Sequence, residues 1–260
     1  MTSFTLPGGL LVHAFSLLLG LGAGLGLAWA AGRAKPRRVS GLLDAGLASL
    51  LGALLGGRLV YVALNWPYFA AHLGEIPQVQ LGGLAWPGAA LGAALALLLL
   101  APLTHVPFGE MLDALIPLGT VMAVCAWLAC WLDGIAYGPA LNAWWALPAR
   151  DEWGTLAPRL PLQLLCAALT LGLAWLVDRP RGRARRELLR RLDSFFPERP
   201  AVLWVSGFSL ILLGFSLLRA DPSPAWLGLR LDAWAALAMV VISFAFLTRS
   251  IRTEGAEQRL

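Results

Sequence analysis

The feature that most constrains this chain is the alternation of long apolar runs with clusters of basic residues. A helix needs about 20 apolar residues to cross a hydrocarbon core of about 30 Å. Basic clusters follow three of the runs, at Arg33–Arg38, Arg179–Arg199 and Arg249–Arg259. Because basic loops are retained on the cytoplasmic side of a membrane, the pattern predicts a polytopic membrane protein of defined orientation.

Composition supports the same fold class. The chain is 58% hydrophobic and 13% charged, whereas a soluble domain has about 25% charged residues.

The charge pattern also predicts the topology. With the basic clusters inside, the N-terminus lies outside and the C-terminus inside. We therefore predict an all-α polytopic membrane protein with seven transmembrane helices, forming a single transmembrane domain over residues 1–260. The predicted spans are Leu10–Ala31, Leu42–Leu64, Leu84–Thr104, Leu112–Leu132, Leu160–Val177, Val202–Leu218 and Leu231–Thr248.

The basic inner segment 179–200 has an amphipathic pattern. Leu188, Leu192 and Phe196 recur at helical spacing between arginines, which is typical of a helix lying in the membrane interface. The net charge of +5 is then explained by cytoplasmic loops resting on anionic lipid. No basic stripe with interleaved aromatic residues is present, so we predict a membrane partner and no nucleic acid.

The sequence gives no sign of a cofactor or a metal. The three cysteines, Cys125, Cys130 and Cys166, lie inside apolar runs without metal-ligand spacing, as expected of small buried hydrophobes. The three histidines are scattered, and neither a P-loop nor a dinucleotide-binding fingerprint occurs. We therefore predict no cofactor and no metal site.

Five arginines fall on the predicted outer side, against the charge pattern: Arg58, Arg150, Arg159, Arg219 and Arg230. Arg58 lies in the second span, and Asp133 and Arg219 close the fourth and sixth. Ionisable residues at such depth are costly and are functional candidates. Two arginines would suit an anionic phosphate, because guanidinium groups bind phosphate oxygens in a bidentate way. The alternative, which the residues alone leave open, is snorkelling to the interface or pairing with Asp133.

Three predicted outer loops are long and rich in aromatic residues. They are Asn65–Gln80, Tyr137–Pro158 and Arg219–Arg230. Aromatic residues at this position commonly form an interfacial belt. The alternative is that these loops lie on the membrane surface, as handling of lipid head groups would require.

Several motifs resemble the prolipoprotein diacylglyceryl transferases of bacterial inner membranes. Gly56–Tyr61 is similar to that family's Gly-Ala-Arg-Leu-x-Tyr, and Gly82–Gly88 to its Gly-Gly-Met-Ser-Phe-His-Gly. Trp127–Gly138 follows its signature Arg-x-Gly-Asn-Phe-x-Asn-Gly-Glu-x-Tyr-Gly. Pro161–Leu164 resembles Pro-x-Gln-Leu, and Leu218–Pro222 resembles Phe-Arg-x-Pro-Asp.

The resemblance implies a function, its partners and a location. Members of the family move a diacylglyceryl group from phosphatidylglycerol to the cysteine thiol of a prolipoprotein signal peptide, in the bacterial cytoplasmic membrane. The catalytic residues implied are Arg219, Arg58, Asp133 and Tyr137. The substrate-binding residues implied are Gly82, Gly83, Gly134, Gly138, Gln163 and Asp113.

Several signature positions depart from the family pattern. Trp127 stands where the family has arginine, Ile135 where it has glutamate and Pro87 where it has histidine. Two functions follow: a transferase with a rearranged site, or a catalytically degenerate member that binds phospholipid or lipoprotein signal peptides without turnover. A small transporter or channel is the third reading, but it requires polar residues near the midplane of several helices, and the chain has almost none.

Overall fold

A computed structural model describes residues 3–5, 11–79, 82–104, 106–178 and 200–257. Within these ranges the chain is mostly helical. Its helices are α1 (Ala14–Arg33), α2 (Val39–Leu64), the single turn α3 (Trp66–Phe69), α4 (Trp86–Thr104), α5 (Phe108–Asp133), α6 (Leu162–Asp178), α7 (Pro200–Leu218) and α8 (Leu231–Glu257). The predicted amphipathic segment 179–200 lies outside the described residues, except for Pro200.

Each of the seven predicted spans overlaps a helix, which confirms a mostly helical, multi-pass membrane protein. Among the described residues, five helices are long and apolar enough to cross a membrane: α1, α2 with the 3-10 turn before it, α4, α5 and α7. The apolar parts of α6 and α8 are shorter, at Leu162–Val177 and Leu231–Ala245. At 1.5 Å per residue these parts are roughly 24 Å long or less. The count of seven spans and their orientation therefore stay predictions.

Short strands accompany the helices of this mostly helical fold. The described residues form three two-stranded antiparallel sheets: β1 (Ser3–Thr5) with β2 (Leu11–His13), β3 (Leu147–Arg150) with β4 (Leu156–Arg159), and β5 (Ala225–Trp226) with β6 (Leu229–Arg230). The strands have two to four residues, which is too short for an alternating pattern to stand out. Pro148 even pairs with Pro158, although proline normally argues against a strand.

The chain divides into two compact units, and the first comprises residues Thr2–Met122. Its tightest contact is between α2 and α4, at four glycines with a spacing of four. They are Gly52 and Gly56 on α2, and Gly88 and Gly92 on α4. A Cβ atom on Gly56 would lie 2.9 Å from the Cα atom of Gly92. Such small residues let membrane helices approach closely, so this pair of helices is the rigid support for the loop that follows α2.

A second cluster in this unit joins α1, α2, α4 and the first half of α5. Its buried members are Ala30, Leu42, Ala45, Leu97, Met111, Leu115 and Leu118. A Cβ atom on Gly26 would lie 2.9 Å from the Cα atom of Leu118. The absence of a side chain at Gly26 therefore permits α1 to approach α5 at this level.

The second unit covers Ala123–Leu260 and contains the second half of α5 with α6, α7 and α8. A Cβ atom on Gly207 would lie 2.6 Å from the side chain of Leu173, so α7 packs closely on α6 at this glycine. The hydroxyl of Ser209 donates to the carbonyl of Val205 at 2.7 Å. The Ser209 hydroxyl is thus satisfied within its own helix, which suits an apolar surrounding.

Candidate functional site

Arg58 lies near the end of α2 and its side chain is buried, 6% exposed. Its guanidinium donates four hydrogen bonds to backbone carbonyl oxygens of the following loop. Nε donates to Ile76 at 2.8 Å and Nη2 to Glu75 at 2.6 Å. Nη1 donates to Gly82 at 2.6 Å and to Gly83 at 3.2 Å. Of the five N–H groups of an arginine side chain, four are therefore used to hold this loop.

The loop is shaped to present these carbonyl groups. Gly82 and Gly83 have φ angles of +87° and +81°, a region that glycine adopts without steric cost. The rings of Phe69 and Tyr61 lie 5.2 Å and 5.8 Å from the Arg58 guanidinium carbon, within range of cation–π attraction. The structure thus brings the predicted residues Arg58, Gly82 and Gly83 together, with both glycines as hydrogen-bond acceptors for the arginine.

Replacing Arg58 by lysine is expected to loosen this loop while keeping the charge. An ammonium group has three donors on one nitrogen and does not span four carbonyl oxygens. Losing two hydrogen bonds of about 1 kcal/mol each would raise amide hydrogen exchange over residues 75–79 roughly tenfold or more. Arg150→Lys, at an exposed arginine, is the matched control; equal exchange in the two variants would contradict this role for Arg58.

Arg219 directly follows α7 and belongs to a network of two arginines and two aspartates. Its Nε and Nη2 atoms both donate to the Asp221 carboxylate, with Nε at 2.8 Å, and its Nη1 donates to Asp232 at 2.7 Å. Arg230 donates from Nη1 to the Asp221 carbonyl at 2.7 Å, and its Nε lies 3.4 Å from the Asp232 carboxylate. All four side chains are mostly buried. The network connects the end of α7, strand β6 and the first turn of α8.

The charges of this network cancel. Burial acts to lower the pKa of Arg219, but its hydrogen bonds to Asp221 and the charges of Asp221 and Asp232 outweigh this effect, so the pKa is raised. Arg219 is therefore a permanent cation, neutralised by two carboxylates. The carboxylate partners of Arg219 in this network are Asp221 and Asp232, and pairing with Asp133 stays a prediction. An anion that approaches Arg219 therefore meets a guanidinium group that is already paired with two carboxylates.

Tyr137 lies in the segment after α5 and is buried beneath another arginine. The guanidinium carbon of Arg159 is 4.5 Å from the centre of the Tyr137 ring. Arg159 also donates to the Asp151 carboxylate at 3.0 Å, which in turn accepts from the backbone N–H groups of Trp153 and Thr155 at 3.0 and 2.8 Å. Burial raises the pKa of Tyr137, with Glu152 adding to the effect. The phenol is therefore protonated at neutral pH and can donate a hydrogen bond.

The segment 134–138 is fixed by three other predicted residues. Gly134 has a φ of +67°, and a Cβ atom there would lie 3.0 Å from two carbonyl oxygens of the β3–β4 hairpin. A Cβ atom on Gly138 would lie 2.6 Å from the carbonyl oxygen of Leu160. Gln163, 1% exposed, donates from Nε2 to the Ile135 carbonyl at 3.0 Å. Their visible role is to hold the backbone around Tyr137; a substrate-binding role stays a prediction.

The two predicted aspartates lie at different points of α5. Asp133 is its last residue, and Asp113 lies near its start; both are half-buried. Asp133 immediately precedes Gly134. In the second unit, Asp133 therefore lies beside the 134–138 segment. The N–H of Ala220 donates to the Tyr137 carbonyl at 2.9 Å. Because Ala220 directly follows Arg219, this bond connects the segment to Arg219.

Trp127 occupies the signature arginine position as a packing residue. Its indole Nε1 donates to the Thr170 hydroxyl at 3.3 Å, and its ring meets Phe215 edge-on with centres 4.4 Å apart. It therefore joins α5 to α6 and α7. The other two departures from the family pattern also have structural roles. Pro87 lies in the first turn of α4, where proline is tolerated, and the backbone carbonyl of Ile135 accepts a hydrogen bond from Gln163.

Restoring arginine at this position is expected to destabilise the protein. Trp127→Arg would place an unpaired charge against Thr170 and Phe215, at a cost of about 3 kcal/mol or more. Trp127→Phe should cost only about 1 kcal/mol, mainly one hydrogen bond. Unfolding in detergent measures both, and Trp127→Phe should cost less in a Thr170→Val background, because the hydrogen bond that it removes is already absent there. An unchanged or raised stability of Trp127→Arg would contradict this packing role.

Sequence reasoning identified Arg219 but missed its partners. Asp221, Arg230 and Asp232 complete its network, and Asp151 with Arg159 supports Tyr137. A signal was present, because Arg159 and Arg230 are two of the five arginines that break the predicted charge pattern. Which carboxylates they meet depends on the two hairpins, and short strands carry no periodic signal.

These features define a multi-pass helical membrane protein whose interhelical loops are held by buried arginines. The family model for prolipoprotein diacylglyceryl transferase matches residues 2–249. The chain therefore belongs to the prolipoprotein diacylglyceryl transferase family.

Individual relatives are similar over shorter stretches. A protein of Leptothrix cholodnii named phosphatidylglycerol–prolipoprotein diacylglyceryl transferase is 37% identical over 150 residues, 56% of this chain and 51% of the relative. Its namesake in Acaryochloris marina is 26% identical over 212 residues, 81% and 65% of the two chains. That of Trichormus variabilis is 31% identical over 154 residues, 55% and 54%. The matches thus span from about half to just under two thirds of these relatives.

Proposed function

We propose that this protein transfers a diacylglyceryl group from phosphatidylglycerol to the cysteine thiol of a prolipoprotein signal peptide. The observation that carries the proposal is the family match over residues 2–249, which includes the motif arginines Arg58 and Arg219. The named relatives support the substrates. We further propose one transmembrane domain of seven helices in the bacterial cytoplasmic membrane, with the N-terminus outside and the C-terminus inside.

The reaction sets three chemical requirements. The cysteine sulfur attacks the glyceryl carbon that carries the phosphate ester, so a carbon–sulfur bond forms as a carbon–oxygen bond breaks. Glycerol phosphate leaves with the bonding electrons, and the thiol proton passes to a base. The site must therefore hold an anionic phosphate, stabilise its departure and favour the thiolate.

The residues that we propose for these roles are Arg58, Arg219, Asp133 and Tyr137. Tyr137, a protonated phenol held by Arg159, suits donation to the leaving phosphate. Asp133 is the carboxylate that suits acceptance of the thiol proton. Arg219 reaches a phosphate if the phosphate replaces Asp232, which holds it by one hydrogen bond, while Asp221 holds it by two. Arg58 shapes the loop that carries Gly82 and Gly83.

A second candidate is binding of phosphatidylglycerol or a signal peptide without turnover. It is favoured by two observations: Arg219 is neutralised by two carboxylates, and Trp127 packs against Thr170 where the family signature has a cation. A donor or cation that stabilises the developing negative charge of the transition state contributes about 10²–10³ to the rate. The loss of such a group therefore lowers turnover far more than it lowers binding.

Complementation separates the two candidates in cells. A bacterium whose own diacylglyceryl transferase is repressed would receive this gene, and lipoprotein processing would be followed together with growth. The proposal expects lipidated lipoproteins and sustained growth, both reduced by Tyr137→Phe. Unprocessed prolipoproteins, together with native mass spectra in which the purified protein retains phosphatidylglycerol, would instead establish binding without turnover.

A further inference from the structure

The β5–β6 hairpin ends in an exposed apolar tip with an unusual backbone. Its two turn residues, Leu227 and Gly228, both have positive φ angles, +50° and +78°. This is the pattern of a two-residue turn in which asparagine followed by glycine is preferred. Leucine rarely adopts this conformation, and here its side chain is 74% exposed. An asparagine would suit both the backbone and a watery surrounding, so folding alone gives no reason for leucine.

The neighbouring contacts hold this tip against the start of an apolar helix. The carbonyl of Trp226 accepts a hydrogen bond from Nε1 of Trp234 at 3.0 Å, and their ring centres are 5.8 Å apart. Trp234 is the fourth residue of α8, so it lies about 4.5 Å inward from the helix start. The hairpin is therefore folded back beside the first turn of α8 and does not extend away from the helix end.

The base of the hairpin is rigid. The N–H of Leu231 donates to the Pro224 carbonyl at 3.0 Å, and the ion pairs of Arg219, Asp221, Arg230 and Asp232 fix both of its ends. Leu217 and Leu218, the last residues of α7, are exposed as well. Exposed apolar side chains are thus present both at the end of α7 and at the tip of the hairpin that follows it.

From this geometry we propose that Trp226 and Leu227 form a lipid anchor, with the hairpin tip inserted at the boundary between head groups and acyl chains. Tryptophan is favoured at that depth because its ring is apolar while its N–H needs a partner. Here Trp234 uses its N–H within the protein, and both rings contribute to the interface. Leu227 gains its apolar contact from lipid, which offsets its unfavourable backbone angle.

Depth measurement with a nitroxide label tests the proposal. Cys125, Cys130 and Cys166 are replaced by alanine, and Leu227→Cys is labelled in nanodiscs of phosphatidylethanolamine and phosphatidylglycerol in equal parts. The label should collide several-fold more with oxygen than with a water-soluble nickel chelate. Ala225→Cys is the matched control, because it lies two residues away on the strand leading to the turn and is also exposed. Equal access of the chelate to both labels would overturn the proposal.

Two further measurements keep the test decisive. Trp234→Phe keeps the ring but removes the donor that holds Trp226, so the label at 227 should move toward water. In the chain with its own cysteines, a phospholipid carrying a photoreactive group near the head-group boundary should attach to the peptide that contains Trp226 and Leu227. The adduct should fall several-fold in Leu227→Asn. No adduct in the unaltered chain, or protection of the tip only when a signal peptide is added, would overturn the lipid assignment.

Discussion

Asp221→Asn is expected to destabilise the protein by roughly 3 kcal/mol, the size of effect found when one partner of a buried ion pair is removed. Asp221 is the central member of its network, because it accepts two hydrogen bonds from Arg219 and contacts Arg230 through both its carbonyl and its carboxylate. Asparagine keeps the shape but leaves two mostly buried cations with a single carboxylate, Asp232. Chemical unfolding of the purified protein in detergent measures the loss.

Asp232→Asn and Glu152→Gln make this test specific. Asp232 holds Arg219 by a single bond, so its variant should lose less stability than Asp221→Asn, and phosphatidylglycerol should bind at least as tightly. Glu152 is an exposed carboxylate on the other hairpin, and its variant should be neutral. Equal stability of Asp221→Asn and Glu152→Gln would show that the network contributes nothing to folding.

Gly56→Val is expected to prevent stable packing of α2 on α4. Its Cβ atom would collide with the Gly88 carbonyl and lie 2.9 Å from the Cα atom of Gly92. Because backbone atoms on both helices are involved, no side chain can turn away, and the helices must separate. We expect a loss of more than about 3 kcal/mol, seen as a lowered unfolding midpoint and a reduced yield of monodisperse protein.

The same helix contains its own control. A Cβ atom on Gly41, also on α2, would meet no atom within 4 Å, so Gly41→Val should leave the unfolding midpoint nearly unchanged. Gly56→Val should also increase hydrogen exchange over residues 75–79, because the α2–α4 pair supports the loop that Arg58 holds. A stable Gly56→Val protein with unchanged exchange would contradict the close helix contact.

The helices could be predicted because each one is determined by the apolar composition of a single continuous stretch of sequence. Each apolar run is long, and the positions of α2 and α7 agree with the predicted spans to within a few residues. The sequence also singles out Arg58 and Arg219, since a charge near an apolar run is costly wherever it occurs, and both side chains are mostly buried. These two residues are the part of the candidate site that a single sequence identifies.

The partners of those arginines were not predictable, because they depend on turns. Arg58 donates hydrogen bonds to backbone carbonyls 17 to 25 residues away. Because every residue has a backbone carbonyl, the sequence does not show which of them an arginine contacts. Trp127 meets Thr170, which is 43 residues distant. In the sequence, Arg58 is a candidate cation for phosphate, and Trp127 marks the position of a missing cation. In the folded chain, Arg58 holds a loop and Trp127 packs between helices.

Transfer of the diacylglyceryl group to a peptide is the direct test of the proposed transferase activity. Purified protein in phosphatidylglycerol nanodiscs would receive a synthetic signal peptide with a lipobox cysteine, and mass spectrometry would follow the peptide. We expect a diacylglyceryl adduct, strongly reduced in Tyr137→Phe and absent with a peptide whose cysteine is replaced by serine. No adduct from folded protein that still binds phosphatidylglycerol would contradict the transferase function and leave binding without turnover.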